Sequence, residues 1–450
     1  MTIINLVSKL RNKHFLALVG NLIISGVGVL TIALLYRTLT KTDTGTWFFF
    51  LTVYGLADAL RNGFLNTATV KYYAGTTKEK GVVILGSVWY LAIAITLLVV
   101  IVSLVFLPLE NLITNHQLII VINWIGFTFI TSLPYSVTYW ILMAEEDYSK
   151  ILWLRLINSG SMIIIILVMA VLKVATLYNI LLVNALTNLL TSLIAILLGY
   201  SKIKTFVYRA KETILEIAHF GKYSLGTTIS SNLLGSINTF IITFMLGPAV
   251  LAVYNLPQRL MEIVEIPLRS FAGTGMSAMA TAYNTNNMYH LYFVSKKYAG
   301  ILTFAFIPIV IFSFFTADIF VGLLGGGKYA GTEAANIFRL LMFFSLFYPI
   351  DRFNGVTLDI LHQQKVNFYK VLIMMAVNIP AAFIGMYIFH NIWGVAVAVP
   401  FTLFAGIVFG YYHLKKHMQY SLRDIIITGY TESLVFIREK VLNKRPISSK

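Results

Sequence analysis

The chain has 450 residues, 58% hydrophobic and 12% charged, with a mean hydropathy of +0.80. A soluble protein of this length carries about twice that charged fraction, so composition excludes a soluble globular class and fits a polytopic helical membrane protein. The net charge of +16 does not argue for nucleic acid, because the basic residues mark breaks between apolar runs, and the absence of Cys excludes disulfides, thiol catalysis and thiolate metal sites.

Residues 1–14 read as an interfacial amphipathic lead-in (Ile3, Ile4, Leu6, Val7 and Leu10 with Lys9, Arg11 and Lys13). No small-residue cleavage site follows, so no cleavable leader is expected. Apolar runs long enough to span a bilayer then recur at 14–37, 45–69, 81–108, 117–142, 150–172 and 176–199. A more polar segment, 200–221, reads as a cytoplasmic amphipathic linker helix with Phe206, Ile214, Leu215 and Ile217 opposite Lys204, Arg209 and Lys211. Six more spans follow at 222–247, 249–280, 298–324, 333–361, 367–389 and 392–413. Residues 414–450 form a basic amphipathic tail, attracted like the linker to anionic headgroups.

The expectation is therefore an all-α membrane protein of twelve transmembrane helices. An N-lobe (1–199) and a C-lobe (222–413), joined by the linker, form two pseudo-twofold-related six-helix bundles around a central cavity. Lys and Arg outside the spans divide 24 against 4 between the two sides, counting Lys365 and Lys370 with the rich side, so both termini are placed in the cytoplasm. A shift of 207 residues carries Gly28 onto Gly235, Leu39 onto Leu246 and Asp58 onto Glu265, and Ser132-Leu-Pro-Tyr135 has an echo in Ser345-Leu-Phe-Tyr348. Inverted or parallel repeats of this kind are common in transporters, with the substrate site between them.

Charges inside the spans are the candidate site. Arg259, Glu262, Glu265 and Arg269 fall within an arc of roughly 120° on one helix face. Each charge in hydrocarbon costs about 2.5–3.5 kcal/mol on insertion scales, so such a face belongs to a polar interior. The second span adds Tyr54, Asp58, Arg61, Asn62 and Thr69 on one face; the tenth adds Arg339, and Asp351-Arg352 after Pro349. Arg155, Asp318 and Asp359 lie near span ends, where snorkelling is easy. Mutual ion pairing is the competing explanation, since Arg259–Glu262 and Glu265–Arg269 have the spacing for it. Every deep cation reads as Arg, whose planar fork matches phosphate oxygens, which suits an anionic cargo. Arg61, Arg259, Arg269, Arg339 and Arg352 are thus assigned to substrate binding, with Arg269 nearest the cytoplasmic edge as a first contact. Asp58, Glu262, Glu265 and Asp351 are assigned to orienting those arginines, with Glu265 or Asp58 the candidate for a coupling H⁺ or Na⁺. Pro134, Pro248, Pro257, Pro267, Pro349 and Pro380 sit on the same elements as static kinks or hinges.

All eight histidines fall in loops or at span ends, and no His-Glu-x-x-His or nucleotide-binding P-loop occurs, so no enzymatic activity, cofactor or ATP hydrolysis is expected. Three stretches carry a family resemblance: Met245-Leu-Gly-Pro-Ala-Val-Leu-Ala-Val-Tyr254; Phe320-Val-Gly-Leu-Leu-Gly-Gly-Gly-Lys-Tyr329; and Leu361-His-Gln-Gln-Lys365, running on to Asn378-Ile-Pro and His390-Asn-Ile-Trp-Gly-Val-Ala-Val-Ala398. They resemble the bacterial polysaccharide transporters, flippases of O-antigen and capsule units within the multidrug/oligosaccharidyl-lipid/polysaccharide exporter superfamily. Ala252 departs from the glycine usual before the Tyr. The resemblance implies a multi-pass protein of the bacterial inner membrane that moves undecaprenyl-diphosphate-linked oligosaccharide to the outer leaflet by alternating access. Its partners would be that lipid-linked glycan, membrane lipids and glycan polymerase or ligase machinery. The alternatives are a cation-coupled multidrug exporter of the same fold, which calls for an acid-dominated cavity, or a membrane scaffold or glycan-assembly enzyme.

Overall fold

A computed structural model describes residues 13–416 and 421–436. The lead-in up to residue 12 and the tail beyond 436 lie outside the described residues. Fourteen α-helices follow in order among the described residues: α1 (Lys13–Thr38), α2 (Lys41–Tyr73), α3 (Lys78–Phe106), α4 (His116–Ala144), α5 (Tyr148–Val171), α6 (Leu177–Leu197), α7 (Lys211–Met245), α8 (Pro248–Asn284), α9 (Met288–Gly325), α10 (Ala334–Ser345), α11 (Tyr348–Ile360), α12 (Gln364–Phe389), α13 (Trp393–Lys415) and α14 (Leu422–Phe436). Short polar residues set their starts. The side chains of Thr40, Asn115, Asp147, Thr176 and Asn287 accept from backbone N–H groups at the head of α2, α4, α5, α6 and α9, satisfying donors that have no intrahelical partner. Between α7 and α8 Gly247 takes φ +85° and Pro248 opens the next helix. The left-handed residue ends one helix without a Cβ penalty, and proline at the first position loses no hydrogen bond.

By length and composition α3, α4, α5, α6, α9, α12 and α13 can each cross a membrane; α10 and α11 together make an eighth crossing, broken by a 49° bend. The bend splits what the sequence presents as one span, 333–361, at Pro349, which sits in the first turn of α11. Helices α2, α7 and α8 are long enough, at 33, 35 and 37 residues, but more polar.

The chain separates into two compact units, residues 1–243 with 247–252, and 244–246 with 253–450. The first unit packs α2, α3 and α4 around Leu65, Leu85, Val88, Trp89, Val137 and Trp140, with Ile217 of α7 buried in the same cluster. The expected amphipathic linker, 200–221, is α-helical only from Lys211 onward and continues into the following span. A 3₁₀ turn, Ile203–Tyr208, lies against α3, and α7 already begins at Lys211. Trp89 Nε1 donates to the Ser201 carbonyl at 2.9 Å, which pins this strap down. An amphipathic pattern serves equally for a surface helix and for a helix whose first turns enter a core, and Ile217 shows that the second applies.

In the second unit α9 is 38 residues long, about 57 Å at 1.5 Å per residue, and so outreaches a hydrocarbon core of about 30 Å. Helix α14 docks on its N-terminal half. Lys296 pairs with Asp424 at 3.0 Å and Lys297 with Glu432 at 2.5 Å. Between those pairs Gly300 and Gly429 meet backbone to backbone: a Cβ on Gly300 would lie 2.4 Å from the Gly429 Cα. Small residues of this kind let helix backbones approach closely. Gly429→Leu overpacks this seam at about 1–3 kcal/mol and is expected to displace α14. With no native Cys, a Lys297→Cys/Glu432→Cys pair should cross-link in the parent background and fall to the background level when Gly429→Leu is added.

Candidate functional site

Helix α8 has two faces. Met261, Val264, Leu268, Ala272, Gly275, Met279 and Ala282 are buried at three- and four-residue intervals. On that side a Cβ on Gly275 would meet the Phe353 ring at 2.7 Å, Phe353 stacks on Tyr298 at 6.0 Å and 6°, and Tyr298 meets Phe271 edge-on at 6.2 Å. The opposite side exposes Glu262, Arg269, Ser270, Thr274, Ser277 and Thr281. On it Arg259 pairs with Glu262 at 2.5 Å and Arg269 with Glu265 at 2.5 Å. Exposure separates the two cations: the Arg259 side chain is 28% accessible and that of Arg269 is 66%. Four charges and four hydroxyls or small polar groups on one stripe cannot face lipid tails at reasonable cost, so the stripe faces water or a polar cargo. Pro257 and Pro267 bracket Arg259, Glu262 and Glu265. Each removes a helical N–H, leaving the Val253 and Ile263 carbonyls without their usual donors.

The Asp58–Arg61 pair is built differently. Arg61 is 0% exposed. Its Nε and Nη2 donate to Asp58 Oδ1, Nη2 also reaches the Ser132 and Ser136 hydroxyls at 3.0 Å, and Nη1 reaches the Phe129 carbonyl at 3.2 Å and Thr96 at 3.5 Å. The guanidinium also lies 4.3 Å from the centre of the Phe129 ring. Asn62 donates to the other oxygen of Asp58 and accepts from Trp140 Nε1 at 2.6 Å. Every nitrogen of Arg61 has a partner within the first unit, and the residue ties α2, α3 and α4 together. Burying a guanidinium is tolerable only when it is paired and its donors are saturated.

The α10–α11 charges also differ from expectation. Arg339 bonds Asp318, the Phe314 carbonyl at 3.0 Å and Asn336 Oδ1 at 2.8 Å. All three of its nitrogens bind the α9–α10 corner. Asp351 holds Lys370 rather than an arginine, at 2.8 Å to Oδ1 and 3.2 Å to its carbonyl. Lys370 is only 4% exposed. Counted by sequence with the loop charges, it is in fact packed inside the protein. The residue sits two turns into α12 with its ammonium turned to α11. Arg352, next to Asp351, is exposed. On α12 the buried Asn378 donates to Thr402 at 2.9 Å while its Oδ1 meets no donor, a costly state for a buried amide. Of the nine charges singled out by sequence, the fold gathers Arg259, Glu262, Glu265 and Arg269 on one accessible face, leaves Arg352 exposed on α11, and engages Arg61, Asp58, Arg339 and Asp351 within the helix packing.

Among solved structures the chain resembles a lipid II flippase, MurJ, in an inward closed conformation, at 16% identity over 96% of this chain and 94% of that one, with a TM-score of 0.74. It also resembles a multidrug resistance MATE family transporter of the MOP superfamily in an inward-facing conformation, at 16% identity over 94% and 96%, with a TM-score of 0.68. A MOP superfamily transporter from Pyrococcus furiosus matches at 14% identity over 96% and 95%, with a TM-score of 0.57. At these identities the likeness is one of fold, a multi-span helical architecture with several apolar helices. No curated protein sequence matches. Residues 34–334 match the family model described as polysaccharide biosynthesis protein. That match spans α2 to α9 and the last turn of α1, including the charged face of α8, and the chain belongs to this polysaccharide biosynthesis protein family.

Proposed function

We propose that the protein is a flippase for a lipid-linked oligosaccharide, moving undecaprenyl-diphosphate-bound units of O-antigen, capsule or exopolysaccharide from the cytoplasmic to the outer leaflet of the bacterial inner membrane. The observation that carries this reading is the α8 stripe, where Arg259 and Arg269 stand accessible with carboxylates beside them. Arginine meets phosphate oxygens in a bidentate way, and a neighbouring carboxylate holds the guanidinium ready while keeping its affinity low enough for release. Arg352 would add a cation from α11. The lipid tail stays in the bilayer while the head group crosses. In this reading the chain forms twelve spans in two six-helix lobes with both termini cytoplasmic, cargo passes between the lobes by alternating access, and Glu265 or Asp58 carries a coupling H⁺ or Na⁺. Glycan polymerase or ligase machinery would take the product on the far side.

The test is reconstitution of the full chain into proteoliposomes with a fluorescent undecaprenyl-diphosphate oligosaccharide in the inner leaflet. Its appearance at the outer surface should outpace protein-free vesicles. Export of lipophilic organic cations with no movement of the glycolipid would instead establish the multidrug reading.

A further inference from the structure

The first unit contains a cavity of about 670 Å³ that none of the charges above touches. Its walls are the turn between α2 and α3, the turn after α4, and the strap that precedes α7. At its centre Glu145 accepts from Tyr73 Oη at 2.8 Å and from the Lys202 ammonium, which also donates to Tyr73 Oη at 2.7 Å. Burial depresses the Lys202 pKa, but the bonds to Glu145 and Tyr73 outweigh it, so the ammonium is held above the ordinary lysine value. Lys78, Glu146 and the apolar Val82 and Leu85 also line it. Two further groups have spare capacity. Thr205 lines the cavity, and its buried hydroxyl has no partner. The α3 N-terminus opens on the cavity without a side-chain cap from Thr77.

The signs of the lining decide what fits. Two ammonium groups and two carboxylates share one cavity, so a simple anion meets two acids and a simple cation meets two bases. A ligand with both poles satisfies both sets. Position decides the rest. The apolar span 78–112 begins at this cavity and the span 116–144 ends at it. Set at the ends of these two spans, the cavity lies near the level where hydrocarbon gives way to water, with Val82 and Leu85 on the α3 side.

We propose that the cavity binds the phosphoethanolamine head of a membrane lipid, its phosphate on Lys78 and the uncapped α3 amides and its ammonium on Glu145. Choline is a poorer fit, because a quaternary ammonium has no N–H to donate to a carboxylate. The site is separate from the α8 stripe, so it stands or falls independently of the cargo.

Native mass spectrometry of the full chain, offered equimolar phosphatidylethanolamine, phosphatidylcholine and phosphatidylglycerol of identical acyl chains, reads this directly. One phosphatidylethanolamine should be retained over the other two by about tenfold, the value of one charge-assisted hydrogen bond. Lys78→Ala removes an exposed side chain without disturbing the core and should lower that retention by about tenfold. Glu145→Gln keeps an acceptor for Tyr73 and Lys202 and should erase the preference over phosphatidylcholine. Equal retention of the three lipids, or a preference that survives both substitutions, overturns the proposal. Soluble glycerophosphoethanolamine competing as well as the lipid overturns the assignment to a bilayer lipid.

Discussion

Arg61→Ala is expected to cost about 3–5 kcal/mol, the usual penalty for breaking a buried ion pair from one side. The loss of the guanidinium leaves Asp58 with Asn62 alone and takes a donor from the Ser132 and Ser136 hydroxyls and the Phe129 carbonyl. Folded, monodisperse protein should fall sharply on size exclusion, and the thermal midpoint in detergent should drop before any question of transport arises. The double variant Asp58→Leu/Arg61→Met should be less damaging than the sum of the two single changes, because buried charge pairs are often replaced by apolar side chains at little cost. A wild-type midpoint for Arg61→Ala together with lost transport would return Arg61 to the cargo.

The contrast between Arg61 and Arg269 shows how far sequence carries. Both are arginines in apolar stretches, three or four residues from an acid, and spacing alone treats them alike. The Arg269–Glu265 pair is made within one helix, so it is legible from i,i+4 spacing. The environment of Arg61 is not: its acceptors arrive from positions 96, 129, 132 and 136, supplied by α3 and α4. Lys370 fails in the same way. Five residues beyond Lys365, it reads as the edge of a loop, and only the fold brings Asp351 to it across 19 residues. The seven apolar helices and the bent pair that can cross a membrane were legible because hydropathy is a local property that the bilayer reads directly. The break at Pro349 was legible as a proline, but not as a 49° bend. The family resemblance rested on the turns Gly247-Pro248 and Gly325-Gly326-Gly327. Two of these residues, Gly247 and Gly326, have positive φ, a backbone requirement that restricts the residue type and so leaves a readable trace.

Arg269→Gln and Arg259→Gln are expected to leave the fold nearly untouched and to slow glycolipid movement. Arg269 is two-thirds exposed, and an exposed i,i+4 pair contributes only about 0.3–0.5 kcal/mol to stability. A charge-assisted hydrogen bond to phosphate is worth about 1.5–3 kcal/mol, so each substitution should lower the flipping rate per folded molecule by about 10- to 150-fold. Lysine at position 269 restores the charge without the bidentate fork and should recover part of the rate. Glu265→Gln separates the two duties left open for that acid. If it only orients Arg269, the rate falls modestly and its dependence on a pH or Na⁺ gradient persists; if it carries the coupling ion, the gradient dependence disappears. Unchanged rates in both arginine variants, measured in the same proteoliposomes, would leave the α8 pairs as local helix braces and move the cargo site elsewhere.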